Sequence, residues 1–175
     1  MKKVVITGGS GYIGSVLTEE LLKKGYAVTV IDLFSSNTSS MAFAAQYKNF
    51  EAYCVDVLQT EKLVPFLNDT DIIIPLAALV GAPICERHKI MAELLNFRQI
   101  QEINDRAPKN VLVMYPNTNS GYGIMSGNHE YCTEETPLNP ISIYGDTKVR
   151  AEKSVLKRNG IAFRLATVFG SSYKM

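Results

Sequence analysis

The sequence predicts an α/β fold built on a doubly wound, mainly parallel sheet. Three observations carry that reading. Apolar runs of strand length alternate along the 175 residues with segments whose apolar residues recur at helical spacing. The first run, Val4-Val5-Ile6, leads into a glycine-rich turn that opens a helix. The second, Ala27-Val28-Thr29-Val30-Ile31, closes on one carboxylate, Asp32, about 20 residues past the glycines. Strand–helix alternation calls for right-handed crossovers, with helices on both sheet faces. Ligands of such a sheet bind at the carboxyl ends of its strands, where the glycine turn and Asp32 both fall.

The turn reads Thr7-Gly8-Gly9-Ser10-Gly11-Tyr12-Ile13-Gly14, and Ile13, Val16, Leu17, Leu21 and Leu22 continue it at helical spacing. It is G-x-G-x-x-G counted from Gly9 and G-x-x-G-x-x-G counted from Gly8. The first glycines permit a tight turn, Gly14 lets the helix pack on the strand, and free N–H groups at the helix start suit a pyrophosphate. Asp32 would accept both hydroxyls of an adenosine ribose and repel a 2′-phosphate. No Arg or Lys follows within Leu33-Phe34-Ser35-Ser36, so the expected cofactor is NAD rather than NADP.

Further along, residues 34–40 read as a polar loop, 41–47 as a short helix and 50–55 as a third strand. An amphipathic helix follows near 58–67, then a fourth strand over 71–76. One long helix is expected over 85–104, where Ile90, Leu94, Phe97 and Ile100 recur near helical spacing. The fifth strand is 110–115. The loop 116–140 after it far exceeds the usual connection of about 4–6 residues, and loops of that length in compact domains tend to be functional. A helix over 141–158 stops before Asn159-Gly160, and 161–166 supplies the sixth strand.

Candidate chemistry lies late in the chain. Tyr144 and Lys148 are four apart, so both project from one face of the predicted helix. A phenol of ordinary pKa near 10 is a poor base; a neighbouring ammonium and an oxidised nicotinamide would bring it into a usable range. The same lysine can donate to the nicotinamide ribose. Thr118, and equally Ser120, offers a hydroxyl to the substrate oxygen whose proton moves. Asp56 can accept from the adenine amino group with Val57 against the ring, or can cap the next helix. His88 and His129 stand isolated, and Glu134-Glu135 reads as a solvated loop.

Composition removes other classes. With 46% apolar and 20% charged residues and a net charge of +1, nothing points to nucleic acid or an anionic membrane. The longest apolar run, 72–84, is broken by Pro75, Gly81 and Pro83 and is too short to span a bilayer. Met1-Lys2-Lys3 leads into too few apolar residues for a signal peptide. Cys54, Cys85 and Cys132 lack metal-type spacing, so no metal is expected; they read as reduced structural thiols of a cytoplasmic protein.

Taken together, these residues resemble the extended short-chain dehydrogenase/reductase family, in its NAD-dependent nucleotide-sugar epimerase/dehydratase branch. The resemblance runs over the whole chain. It rests on Thr7-Gly8-x-x-Gly11-x-x-Gly14, Asp32, Asp56-Val57, Leu76-Ala77-Ala78, Asn96, the 118–123 loop, Tyr144-x-x-x-Lys148 and residues 164–170. It implies a Rossmann fold and cofactor contacts at Gly8, Gly11, Tyr12, Ile13, Gly14, Asp32, Leu33, Asp56, Val57, Leu76, Ala77, Ala78, Asn96, Tyr144 and Lys148. The family places its catalytic Ser or Thr four residues before the tyrosine of a Tyr-Gly pair; Tyr122-Gly123 matches and selects Thr118 over Ser120.

The implied reaction oxidises a sugar hydroxyl to a transient ketone, with Tyr144 taking its proton and NAD the hydride. Related dehydratases and decarboxylases carry an acidic residue just after the catalytic Thr, where this chain has Asn119 and Ser120. That puts epimerase ahead. A Thr-Asn pair also occurs in CDP-sugar 2-epimerases, which keeps C2 as well as C4 open as the oxidised carbon. The rivals are a non-catalytic NAD-binding module and a keto-sugar reductase of the same fold. Pro75 replaces a frequent His at little cost, and Thr167 replaces a frequent Asn near the substrate, so sugar preference does not carry over. The expectation is an NAD-binding domain over 1–175 that lacks the substrate lobe, binds nucleotide-sugar poorly and turns over little. Its uncovered sheet edge would invite self-association, a homodimer being the simplest form.

Overall fold

Successive residues of a strand face opposite sides of a sheet, and the first strand shows what that does here. Val4 and Ile6 belong to one apolar cluster and Val5 to another, and all three are buried. A strand buried on both faces needs helices on both, which explains its unbroken apolar run. The computed structural model describes residues 1–35, 38–124 and 131–173. The expectations placed on Ser36, His129 and Met175, and on the 125–130 part of the long loop, lie outside the described residues.

Six strands form one sheet: β1 (Lys3–Thr7), β2 (Ala27–Asp32), β3 (Phe50–Cys54), β4 (Ile72–Pro75), β5 (Leu112–Thr118) and β6 (Ile161–Leu165). The order is β3-β2-β1-β4-β5-β6 and every described pairing is parallel. This is a Rossmann-type fold. Helix α1 (Tyr12–Lys23) and a 3-10 segment (Thr38–Gln46) contribute Leu22, Met41 and Ala44 to the cluster on one face. On the other, α2 (Thr60–Asn68) supplies Leu63 and Leu67, α5 (Gln99–Arg106) Ile100 and Ile103, and α6 (Ile143–Lys157) Ala151 and Val155. Each Leu, Ile, Val or Met side chain among these contributes roughly 1.5–3 kcal/mol by leaving water, and each Ala less. The strand order reverses between β1 and β4, and the glycine turn follows β1 at that switch point.

Four departures from the sequence reading have physical causes. The expected single helix over 85–104 is instead α3 (Ala82–Arg87), α4 (Lys89–Glu93), a π-helical turn (Leu94–Arg98) and α5. It starts early because Pro83 suits a first helical turn, and it breaks at His88, where φ is −127°. The fifth strand runs through Pro116 to Thr118 instead of stopping at 115. Its pairing with β4 ends at Val113, so Pro116 removes no bond on that side. Helix α2 starts at Thr60 because the Asp56 carboxylate accepts the Leu58 N–H at 2.9 Å and holds a turn first. The segment near 41–47 takes 3-10 rather than α-helical form.

Beyond β6 the chain turns back along α1. The Tyr12 hydroxyl donates to Gly170 O at 2.7 Å and the Ser172 hydroxyl to Tyr12 O at 2.8 Å. The Tyr173 hydroxyl donates to Glu19 at 2.9 Å, and its ring stacks on Phe43 at 4.6 Å. Among the described residues, no helix is long and apolar enough to cross a membrane.

Candidate active site

Gly8 adopts φ +72° and donates its N–H to Ile31 O at 2.8 Å, which folds the turn back against the end of β2. A Cβ at Gly8 would lie 2.5 Å from the backbone nitrogen of Ala77, and one at Gly14 would lie 2.6 Å from Gly8 O. Backbone therefore approaches where a side chain would stand. Helix α1 begins with no side-chain cap and no acid in its first turn, which leaves its N–H groups and positive dipole end facing outward. A cleft of about 560 Å³ opens over this turn, within the usual range of ligand pockets.

Gly8, Gly11, Tyr12, Ile13 and Gly14 line that cleft. So do Asp32 and Leu33 after β2, Asp56 and Val57 after β3, and Leu76, Ala77 and Ala78 after β4. Asp32 is fixed by two backbone donors, Ser10 N–H at 3.0 Å and Phe34 N–H at 2.9 Å. It thereby ties the glycine turn to β2, and Phe34 takes the left-handed φ of +52° beside it. Asp56 holds the turn before α2 rather than capping that helix, since Gln59 occupies the cap. Val57 is buried in the core and also lines the cleft.

Asn96 stands elsewhere. It is buried inside the π-helical turn, accepts the Leu79 N–H at 2.8 Å and donates to Leu79 O at 2.9 Å. The wider turn aims its amide at the segment after β4, whose residues 76–78 and 80 line the cleft, so Asn96 holds that wall rather than lining the cavity. Cys85, buried in α3, donates to the same Leu79 oxygen at 3.2 Å. Of the three cysteines only Cys85 is buried; Cys54 and Cys132 are exposed, against the expectation of structural thiols throughout.

A second cluster forms where α6 crosses the end of β5. Tyr144 lies above its ordinary pKa of 10.0 because burial outweighs the opposing influence of the nearby Thr118 hydroxyl, which itself donates to Ser120 Oγ at 3.2 Å. Thr118 also accepts the Ser120 N–H at 3.2 Å. Lys148 is buried, donates to Pro116 O at 2.7 Å and sits 4.2 Å from the Tyr115 ring centre. Burial lowers its pKa to about 7. The expected lowering of Tyr144 by a neighbouring ammonium does not appear: burial raises the phenol and lowers the lysine. A larger cleft of about 860 Å³ lies against β6 and includes Asn119, but it takes in none of Thr118, Tyr144 and Lys148.

The glycine turn and the ribose-type carboxylate thus line one cleft at the carboxyl ends of the strands, whereas Thr118, Tyr144 and Lys148 lie at the carboxyl end of β5 outside that cleft's lining. Residues 4–174 match the family model described as the NAD dependent epimerase/dehydratase family. The chain belongs to that family. A UDP-glucose 4-epimerase of Lactobacillus helveticus is 31% identical over 185 residues, covering 97% of this chain and 53% of the relative. UDP-glucuronic acid decarboxylase 1 of Danio rerio is 26% identical, covering 97% and 41%. Among solved structures, a UDP-glucuronic acid 4-epimerase from Bacillus cereus in complex with NAD is 25% identical, with a TM-score of 0.81, and covers 99% of this chain and 60% of that one. The chain spans about half the length of the curated relatives it matches.

Within this epimerase/dehydratase domain, two buried residues at the β5–α6 contact carry no mark of function in the sequence. Glu152 is 2% exposed and accepts from Arg164 at 2.6 Å and from the Asn117 side chain. Tyr115 is fully buried, its own pKa pushed well up by burial, and it supplies the ring under Lys148. A signal for the burial of Glu152 was present: a charge at i+8 from Tyr144, on a helix stretch whose neighbours Val149, Ala151 and Val155 face the core.

Proposed function

We propose that this chain binds NAD over the glycine turn and forms the cofactor-binding, proton-handling domain of a nucleotide-sugar epimerase. One observation carries the reading: Thr118 at the end of β5 and Lys148 on α6, which donates to Pro116 O beside it, lie at the same carboxyl edge of the sheet as the glycine cleft. The cavity suits a dinucleotide in kind as well as size. Its turn has no room for side chains at Gly8 and Gly14, and its far end carries a carboxylate fixed in place.

NAD, when bound, supplies the hydride acceptor and donor. The protein's residues do the rest. Tyr144 takes the proton from the reacting sugar hydroxyl and returns it, and Thr118 hydrogen-bonds the same oxygen and orients the phenol. Lys148, a proton-labile cation in its buried site, offsets negative charge on Tyr144 once a ligand excludes water. Asp32 selects NAD over NADP. The absence of a carboxylate at Asn119 and Ser120 removes a proton donor for elimination, which favours epimerisation over dehydration. The relatives' names make UDP-sugars the first substrates to test.

The test uses the protein of which this chain is all or part. Calorimetry should give NAD binding at least tenfold tighter than NADP, and Asp32→Asn should narrow that gap. Incubation with UDP-glucose, UDP-glucuronate and UDP-N-acetylglucosamine, followed by NMR of the products, should show epimers that vanish in Tyr144→Phe while NAD binding persists. Failure to bind NAD sinks the reading outright. Binding with no turnover, indifferent to Tyr144→Phe, would instead favour a non-catalytic cofactor module.

A further inference from the structure

Positions 144, 148 and 152 lie along one face of α6, and each meets the end of β5. Lys148 donates to Pro116 O and Glu152 accepts from the Asn117 side chain, while Tyr144 is close enough to Thr118 for that hydroxyl to favour its phenolate. Glu152 is a buried charge, and its partner is Arg164 on β6, with Nη2 at 2.6 Å and Nε at 3.1 Å from Oε1. Arg164 reaches further. Its Nη1 donates to the Tyr122 hydroxyl at 3.2 Å and to Glu134 O at 3.0 Å, and the Tyr122 hydroxyl donates to Thr133 O at 3.0 Å. One ion pair thus holds the residue before Thr118 and both described ends of the loop that follows it.

Buried ion pairs are weak stabilisers: replacing both partners by apolar side chains of similar volume is often neutral or better. A pair whose remaining hydrogen bonds all go to the residues framing Thr118 has geometry as its product. We propose that Glu152 and Arg164 are positioning residues that set the contact between Thr118 and Tyr144. This rests on the reading of those two as the proton-handling pair. Neither Glu152 nor Arg164 touches the reacting atoms. Glu152 fixes Asn117 and hence the strand end, while Arg164 fixes Tyr122 and Glu134 and hence the loop.

The readout is the titration of Tyr144, followed by NMR with 13Cζ-labelled tyrosine and assigned with Tyr144→Phe. The Thr118 hydroxyl favours the phenolate, so losing that contact should move the Tyr144 titration to higher pH. Thr118→Val measures this directly. The double variant Glu152→Met with Arg164→Met should fold, bind NAD within about twofold of the parent, and shift Tyr144 upward as Thr118→Val does. Where turnover is measured, kcat should fall about tenfold with KM unchanged. A folded double variant whose Tyr144 titrates like the parent's overturns the proposal and leaves the pair a structural element. If the double variant does not fold, Glu152→Asp takes its place, shortened so that it cannot reach Asn117; the same two outcomes decide. Should Thr118→Val itself leave Tyr144 unmoved, the reading of the Thr118–Tyr144 pair fails, whatever Glu152 does.

Discussion

At the β1–α1 corner the contacts that shape the cleft are made by backbone: Gly8 N–H to Ile31 O, Ser10 and Phe34 N–H to Asp32, and a glycine wherever a Cβ would collide. At the β5–α6 corner they are made by side chains: Lys148 to Pro116 O, Glu152 to Asn117 and Arg164, Arg164 to Tyr122. Both corners present groups at the carboxyl ends of parallel strands. The first does so with few buried charges, through conformations that only particular residues adopt. The second stakes its geometry on a fully buried carboxylate and a lysine that burial strips toward neutrality. The first should therefore be brittle to added volume, and the second to removed charge.

The largest effect should come from breaking the charge network on one side only. Arg164→Met leaves the Glu152 carboxylate buried without its cation, which costs about 3–5 kcal/mol. Urea denaturation should show the midpoint falling accordingly, and the double apolar replacement should recover most of it. Recovery that fails would mean the pair contributes stability beyond mutual compensation. Next comes the backbone corner. Gly8→Ala would force a Cβ at φ +72° to within 2.5 Å of Ala77 N. Strain and overpacking together should cost about 2–4 kcal/mol, with NAD binding lost in the fraction that still folds.

What could be read from the sequence divides along the same line. Gly8, Gly14 and Asp32 are legible because a tight turn, a helix packed on a strand and a carboxylate at a strand end are local demands with few chemical solutions. Tyr144 and Lys148 are legible as a pair because helical spacing alone puts them together. Glu152 is legible as a charge on a core-facing stretch of helix, but its role is not, since its partners Arg164 and Asn117 lie 12 and 35 residues away and only the folded sheet brings them in. The π-helical turn escaped for another reason. Residues 94–98 keep a helical apolar pattern, and the shift of hydrogen bonds that turns Asn96 toward Leu79 leaves no mark in composition. Pro116 misled in the opposite direction: a proline reads as the end of a strand, yet β5 runs on through it because β4 has already stopped.

The buried lysine sharpens the comparison through pH. In the unfolded chain Lys148 keeps its proton up to its ordinary pKa of 10.5, whereas in the folded protein it loses it near 7. Between those values the unfolded state binds more protons, so raising the pH favours the fold; below both, the cost of burying the charge is constant. Cofactor-free protein should gain about 1.5 kcal/mol between pH 7 and 8.5, and Lys148→Met should lack that gain. The raised pKa values of Cys85, Tyr115 and Tyr144 act in the opposite sense, mainly at higher pH. A flat profile in the parent protein would show that the amine stays solvated.

The smallest expected effect concerns the segment that joins the two corners. After β6 the chain returns to α1, where Gly170 O takes the Tyr12 hydroxyl at 2.7 Å and Ser172 donates to Tyr12 O. Tyr12 also lines the glycine cleft, so the segment after the strand carrying Arg164 and the turn expected to hold phosphate share one tyrosine. The Tyr12–Gly170 bond is exposed, and Tyr12→Phe removes it while leaving the ring, so global stability should fall by only about 0.5–1 kcal/mol. The local consequence should be larger than the global one. Tyr173 remains stacked on Phe43, which holds the far end of the segment and leaves Gly170 as the point that loosens. Amide hydrogen exchange should accelerate at residues 169–171 and stay unchanged at β5 and α6. Equal acceleration at α6 would mean that the two corners are coupled through this segment, and that the division between a backbone-built and a charge-built half is drawn too sharply.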